Sequence, residues 1–78
     1  MRKKELRAVV AFHSTADAFA MEDAGAEAGL LGRLIPVPLQ ITAGCGLAWS
    51  EPADNRAALE EVLEKRGLRY ELLRELAI

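Results

Sequence analysis

The segment that decides the fold is Leu6–Phe12, which reads LRAVVAF and which we predict to be a β-strand. Apolar side chains occupy both the even-numbered and the odd-numbered positions after Arg7, so both faces of this strand are apolar. A strand with two apolar faces is typical of the centre of a sheet. The next residues are His13, Ser14 and Thr15, and a hydroxyl of Ser14 or Thr15 can cap the first free N–H groups of a helix.

The rest of the chain continues with the periodicity of short strands and amphipathic helices. The predicted elements after the first strand are a helix over Ala16–Ala28, a strand over Gly32–Val37, a strand over Leu47–Ser50, a helix that is capped by Asp54 or Asn55 and ends at Gly67, and a strand over Leu68–Leu76. This order predicts an α+β fold of the ferredoxin-like βαββαβ type, a two-layer sandwich in which a four-stranded antiparallel sheet carries two helices on one face. Pro36 and Pro38 remove backbone donors, which restricts the second strand to an edge or ends it early.

The length of 78 residues and the hydrophobic fraction of 51% predict one folded domain over residues 1–78. The formal net charge is −2, and we interpret the basic cluster Arg2-Lys3-Lys4 with Arg7 as a solvated face. This balance argues against a nucleic-acid partner, which needs a dense basic surface. Apolar residues on both faces of the first strand indicate that the sheet face without helices is a surface for a partner or for a homodimer.

The sequence also predicts where the protein is located and whether it binds a metal or a cofactor. No apolar run approaches the roughly 18 residues that cross a bilayer, and no secretory signal precedes the first strand, so we expect no membrane contact and a cytoplasmic location. The single cysteine cannot form an internal disulfide, and a free thiol survives best in a reducing compartment. His13 and Cys45 lie far apart in the sequence, and without closely spaced ligands we predict neither a metal site nor a cofactor.

Cys45 is the residue on which the functional interpretation depends, because it lies between Gly44 and Gly46 in the stretch Ile41–Leu47, ITAGCGL. Because glycine has no side chain beyond a hydrogen atom, these two neighbours leave the sulfur accessible and let backbone N–H groups converge on an anion. These conditions favour the thiolate, which is the reactive form of cysteine. The alternative is a buried cysteine that packs as a small hydrophobic residue.

Other residues are candidates to support this sulfur. The N–H groups of Gly46 and Leu47 can stabilise a sulfur anion, and the hydroxyl of Thr42 is a candidate hydrogen-bond donor. His13 and Ser14 end the first strand, and the predicted topology can place them near the cysteine. The alternatives are that His13 is a surface or capping histidine and that Ser14 only caps the helix.

Three blocks of sequence occur in the order and spacing of a known family: Phe12–Thr15 followed by Ala18 and Met21-Glu22, then Leu34–Pro38, then Cys45–Ala48. Through these blocks the chain resembles the selenium/sulfur carrier-like proteins, a small family of bacteria and archaea. The resemblance extends over about residues 6–76 and implies a carrier rather than a complete enzyme. In that role Cys45 accepts sulfur or selenium from a donor protein as a persulfide or selenosulfide and passes it to an acceptor protein. Gly44 and Gly46 would then let the partner's sulfur approach closely.

A second class of function remains open, because ferredoxin-like sheets also bind partner chains or small molecules on their open face. Candidate residues for such a non-catalytic interaction or small-molecule-binding module are Val9, Ala11, Leu73 and Trp49. A third possibility, a thiol-based redox sensor, needs a resolving thiol from another chain. The accessibility of the Cys45 thiol distinguishes the carrier from the binding module.

Overall fold

The computed structural model describes residues 4–41 and 44–78. Its elements, in chain order, are strand β1 (Leu6–Ala11), helix α1 (Thr15–Ala28), strand β2 (Arg33–Pro36), strand β3 (Leu47–Pro52), a 3₁₀ turn (Ala53–Asn55), helix α2 (Arg56–Lys65) and strand β4 (Leu72–Ala77). The strands form an antiparallel sheet in the order β2-β3-β1-β4, with both helices on one face. The predicted α+β ferredoxin-like sandwich is therefore confirmed. Within the described ranges, neither helix has the length and apolar character of a membrane span.

Strand β1 forms the centre of the sheet, where it pairs with β3 on one side and with β4 on the other. Alternate residues of the strand point to opposite faces of the sheet. Ala8 and Val10 join the core beneath the helices, whereas Val9 and Ala11 belong to a cluster on the other face. All four side chains are fully buried, so the predicted central position of this strand is confirmed.

The two helices begin in different ways. Ser14 Oγ accepts a hydrogen bond from Asp17 N–H at 3.1 Å, so α1 has the predicted hydroxyl cap. Asn55 occupies the capping position of α2, but its side chain makes no capping hydrogen bond. Asn55 Nδ2 donates instead to Glu51 Oε2 at 2.7 Å. The prediction of a side-chain cap by Asp54 or Asn55 is therefore wrong.

The last strand begins later than predicted, because the residues after α2 form a turn. In this turn Gly67 adopts a φ of 59°, and Leu68 N–H donates to Leu63 O at 3.0 Å. These contacts tie Leu68 to the end of the helix rather than to the sheet. The strand predicted over Leu68–Leu76 consequently runs over Leu72–Ala77.

Helix α2 is joined to β4 through its first residue, Arg56. Its Nη1 donates to Glu75 Oε2 and its Nε donates to Glu60 Oε1, both at 2.7 Å. The hydrogen bond with Glu60, and after it the one with Glu75, raises the pKa of Arg56 above its ordinary value. Because all three side chains are open to solvent, we expect these ion pairs to orient α2 on the sheet without stabilising it much.

The sheet face opposite the helices is more covered than predicted. Val9, Ala11 and Ala48 are fully buried on this face, and Ile41, from the connection between β2 and β3, is buried against them. Partly buried apolar side chains surround this cluster: Ile35, Val37, Leu72, Leu76 and Ile78. Removing the side chain of Ile41 from water favours folding of the connection onto the sheet. The prediction that the sheet face opposite the helices is uncovered is therefore wrong for the centre of that face.

The residues proposed for a binding module do not share one face of the sheet. Val9 and Ala11 lie in the cluster opposite the helices, whereas Trp49 and Leu73 pack with the core beneath the helices. Side chains of neighbouring residues alternate along each strand, and the register of the strands fixes which of them meet. A single binding face formed by these four residues is therefore excluded.

A buried carboxylate connects three parts of the fold. Glu51 is fully buried, and its Oε1 accepts hydrogen bonds from Trp49 Nε1 and from Gly32 N–H, both at 2.9 Å. Its Oε2 accepts from Leu31 N–H at 2.9 Å and from Asn55 Nδ2 at 2.7 Å. We call these five residues the Glu51 cluster. It joins β3 to the connection before β2 and to the turn before α2.

Gly32 is required for this cluster because the connection before β2 runs close to β3. A Cβ at position 32 would collide with the carbonyl oxygen of Ser50 and would lie 2.7 Å from Glu51 Oε1. Only glycine lets the backbone approach closely enough for its N–H to reach the carboxylate. The glycine and the glutamate are therefore needed together.

We expect Glu51→Ala to lower the free energy of unfolding by about 3–5 kcal/mol, because several buried donors lose their acceptor at once. Urea denaturation measures this loss. Glu64→Ala, a change of the same type at an exposed position of α2, should alter the free energy of unfolding by no more than about 0.5 kcal/mol. A loss for Glu51→Ala as small as that of Glu64→Ala would contradict the structural role of the cluster.

Candidate functional site

The connection between β2 and β3, residues 37–46, is called here the Cys45 loop. Its two ends are joined because Val37 N–H donates to Gly46 O at 2.9 Å, which extends the pairing of β2 with β3. Ile41 N–H donates to Pro38 O at 3.0 Å, and the Ile41 side chain is buried on the sheet. The loop is therefore attached to the sheet at its ends and near its middle.

Cys45 is half-buried, and its side chain packs against the core beneath the helices. Leu47 N–H donates to Cys45 Sγ at 3.4 Å, and the thiol donates to Leu47 O at 3.5 Å. Of the two N–H groups expected at the sulfur, that of Leu47 thus makes a hydrogen bond to it. The structure gives Cys45 features of both sequence-based alternatives, since the side chain contacts the core and the sulfur has a backbone donor.

The backbone of Gly46 sets this arrangement. Gly46 has a φ of 76°, which lies in the left-handed region that residues other than glycine rarely adopt. This conformation turns the chain between Cys45 and Leu47, so that Leu47 N–H faces Cys45 Sγ. Glycine is therefore favoured after the cysteine because of this backbone conformation, and not only because of its small size.

The structure brings His13 and Gly44 together beside the cysteine, through Glu71. Gly44 N–H donates to Glu71 Oε1 at 3.4 Å, and the same oxygen lies 3.6 Å from His13 Nδ1. A Cβ on Gly44 would lie 3.2 Å from the carbonyl oxygen of His13, so the loop runs close to the end of β1. The His13 side chain is 65% exposed, so solvent screens its contact with Glu71.

The remaining predicted binding residues are Ser14 and Thr42. Ser14 Oγ accepts the hydrogen bond from Asp17 N–H that caps α1, so this oxygen already serves the helix. Thr42 lies outside the described residues. The donor role that we predict for Thr42 stays a prediction.

Glu71 is a residue at this site that the sequence did not identify. The strand predicted over Leu68–Leu76 includes Glu71, whereas in the structure Glu71 precedes β4 and its N–H donates to Ala11 O at 2.7 Å. Its position next to Gly44 follows from the pairing of Ala11 with Leu72 in the β1–β4 register. The register of two strands brings together residues that are distant in the chain, and the sequence around Glu71 does not predict this register.

In the described part of the chain, both hydrogen bonds of Cys45 Sγ are with Leu47. A cysteine reacts through its thiolate, which can attack the outer sulfur of a persulfide or a sulfur of a disulfide. Across residues 4–41 and 44–78, no group of three or more His, Cys, Asp or Glu side chains is placed to hold a metal ion.

Comparison with known proteins places the chain in a family. The chain matches no curated protein and no solved structure. The model of the family described as "Putative Se/S carrier protein-like" matches residues 7–74, a range that includes His13, the Cys45 loop and Glu71. Because this match covers most of the chain, from β1 into β4, the protein belongs to the Se/S carrier protein-like family.

Proposed function

We propose that the protein carries sulfur or selenium on Cys45, as a persulfide or a selenosulfide, between a donor protein and an acceptor protein. The observation that supports this most is the hydrogen bond from Leu47 N–H to Cys45 Sγ at 3.4 Å, in a half-buried position. Membership of the Se/S carrier protein-like family supports the same class of function. The role is that of a carrier, so the chain needs no complete set of catalytic groups.

Loading is an exchange of one bond for another. The Cys45 thiolate attacks the outer sulfur of a donor persulfide, the sulfur–sulfur bond of the donor breaks, and the donor leaves as a thiolate. Cys45 then holds the transferred sulfur as a persulfide. An acceptor nucleophile attacks that outer sulfur and releases the Cys45 thiolate, so the cycle needs no external oxidant or reductant. With selenium, the transferred atom is bound to Cys45 as a selenosulfide.

The neighbouring residues support this exchange. Gly44 and Gly46 leave space for the partner's sulfur, and Leu47 N–H stabilises the anion that leaves when the outer sulfur is passed on. Glu71 Oε1 accepts the hydrogen bond from Gly44 N–H, directly before Cys45, and the same oxygen lies 3.6 Å from His13 Nδ1. Thr42 is proposed as a further donor, and Ser14 contributes by fixing the start of α1 next to His13.

A carrier needs a compartment that keeps its thiol reduced and partner proteins that exchange sulfur with it. A thiol that must stay free for transfer is best maintained in the reducing cytoplasm. The donor and the acceptor are proteins with their own sulfur or selenium chemistry, and they approach the sheet end that carries the Cys45 loop. A homodimer through the sheet face without helices stays a prediction of the sequence.

We expect the purified protein to take up one sulfur from glutathione persulfide, with glutathione thiolate as the leaving group, at Cys45. From selenodiglutathione we expect Cys45 to take up one selenium that still carries a glutathionyl group, since attack on the selenium releases the other glutathione as a thiolate. Intact mass and peptide mass spectrometry measure the uptake, and a second thiol should then remove the transferred sulfur. Cys45→Ser should stay unmodified while its circular dichroism spectrum and its unfolding transition remain those of a folded protein. Equal uptake by Cys45→Ser, or no uptake by the wild-type protein, would refute the carrier role.

We expect Gly46→Ala to slow the loading of Cys45, because a Cβ disfavours the φ of 76° that directs Leu47 N–H to the sulfur. The loading rate from glutathione persulfide, followed by mass, measures the effect. Gly67→Ala is the matched control, since Gly67 has a φ of 59° in the turn after α2.

Both alanine variants should lose about 1–2 kcal/mol of stability, since each places a side chain in the left-handed region. Only Gly46→Ala should load more slowly than the wild-type protein. If both variants load equally slowly, the effect reflects lost stability, and the contribution of the Leu47 N–H is contradicted.

A further inference from the structure

A groove lies on the sheet face opposite the helices. Its volume is about 480 Å³, which falls within the range of roughly 300–1,000 Å³ typical of small-molecule sites. The residues that line it are Glu5, Arg7, Leu31, Arg33, Ile35, Ser50 and Ile78. The groove thus combines two arginines and a serine with three apolar side chains and one carboxylate.

Arg7 is held in a fixed position at this groove. Its Nε donates to Ser50 Oγ at 2.8 Å and its Nη2 donates to Ser50 O at 3.2 Å. Its Nη1 donates to Glu5 Oε2 at 3.2 Å, and the Arg7 side chain is only 20% exposed. A guanidinium carries more N–H donors than these contacts use, so donors remain for a ligand in the groove.

Arg33 approaches the groove from the neighbouring strand. In the β2–β3 register Arg33 lies opposite Ser50, the residue that holds Arg7. Arg33 is exposed, and its side chain lines the groove together with that of Arg7. Two guanidinium groups therefore flank one serine, which is an arrangement that suits an anion with several oxygen atoms.

Helix α1 and the sheet face with the groove carry charges of opposite sign. The charged residues of α1 are all acidic: Asp17, Glu22, Asp23 and Glu27. The sheet face with the groove carries Arg7 and Arg33, and Arg74 lies on the same face because it pairs with Val9 in the β1–β4 register. An anion is therefore attracted to the sheet face although the whole chain has a net charge of −2.

We propose that this groove binds a small organic anion that has a carboxylate or phosphate group and an apolar body. Arg7 and Arg33 hold the anionic group, and the apolar body contacts side chains such as Ile35. Glu5 competes with the ligand, because its carboxylate bonds Arg7; its side chain is 67% exposed and can turn into solvent. The site is separate from Cys45, so the binding does not rest on the carrier role.

The probe for this site is phenyl phosphate, which combines a phosphate group with an aromatic ring. In a titration followed by ¹H–¹⁵N NMR spectra, we expect saturable shifts at the amides of Arg7, Arg33 and Ser50. Arg33→Gln should weaken binding about tenfold or more, since it removes charge-assisted hydrogen bonds. Glu5→Gln should tighten binding about twofold, because it removes the competing charge.

Two controls decide whether the groove itself is the site. Arg74→Gln removes the same charge from the same sheet face outside the groove lining, so it weakens only the long-range attraction and should lower the affinity by no more than about twofold. Benzyl alcohol, which has the ring without the phosphate, should not bind. Equal weakening by Arg74→Gln and Arg33→Gln, binding of benzyl alcohol as tight as that of phenyl phosphate, or shifts that do not saturate would each overturn the proposal.

Discussion

The hydrogen bonds of the Glu51 carboxylate are the interaction on which the rest of the structure depends. Strand β2 has four residues and pairs only with β3 in the described sheet, so the ladder alone holds it weakly. Glu51 fixes the residues before β2 through Leu31 N–H and Gly32 N–H. Since β2 and β3 lead into the two ends of the Cys45 loop, the position of the sulfur depends on this buried carboxylate. The same strands form part of the arginine-lined groove.

Much of the fold could be predicted because its signals are local. Apolar residues at every position of Ala8–Phe12 indicate a central strand, and Ser14 marks the start of α1. The order of strands and helices then leaves few topologies. The same reasoning identified Cys45 between two glycines, and the positive φ of Gly46 gives one of these glycines a conformational role.

Other features could not be predicted because they join residues that are distant in sequence. The predicted third strand ends at Ser50, one residue before Glu51, and the hydrogen-bond donors to Glu51 come from positions 31, 32, 49 and 55. Glu71 reaches Gly44 only because β4 pairs with β1 in one register. The burial of Ile41 over the sheet likewise depends on the path of the loop. These contacts depend on packing and strand register, which local sequence patterns do not predict.

The central claim is that the Cys45 thiol can react while the protein is folded. The most direct test is the rate of alkylation by iodoacetamide, measured at urea concentrations from zero up to the start of the unfolding transition. A half-buried sulfur at the surface of a folded loop should react at a rate that is independent of urea over this range. If the reaction instead accelerates with urea in parallel with the unfolded fraction, the thiol reacts only after unfolding, and the carrier account is contradicted.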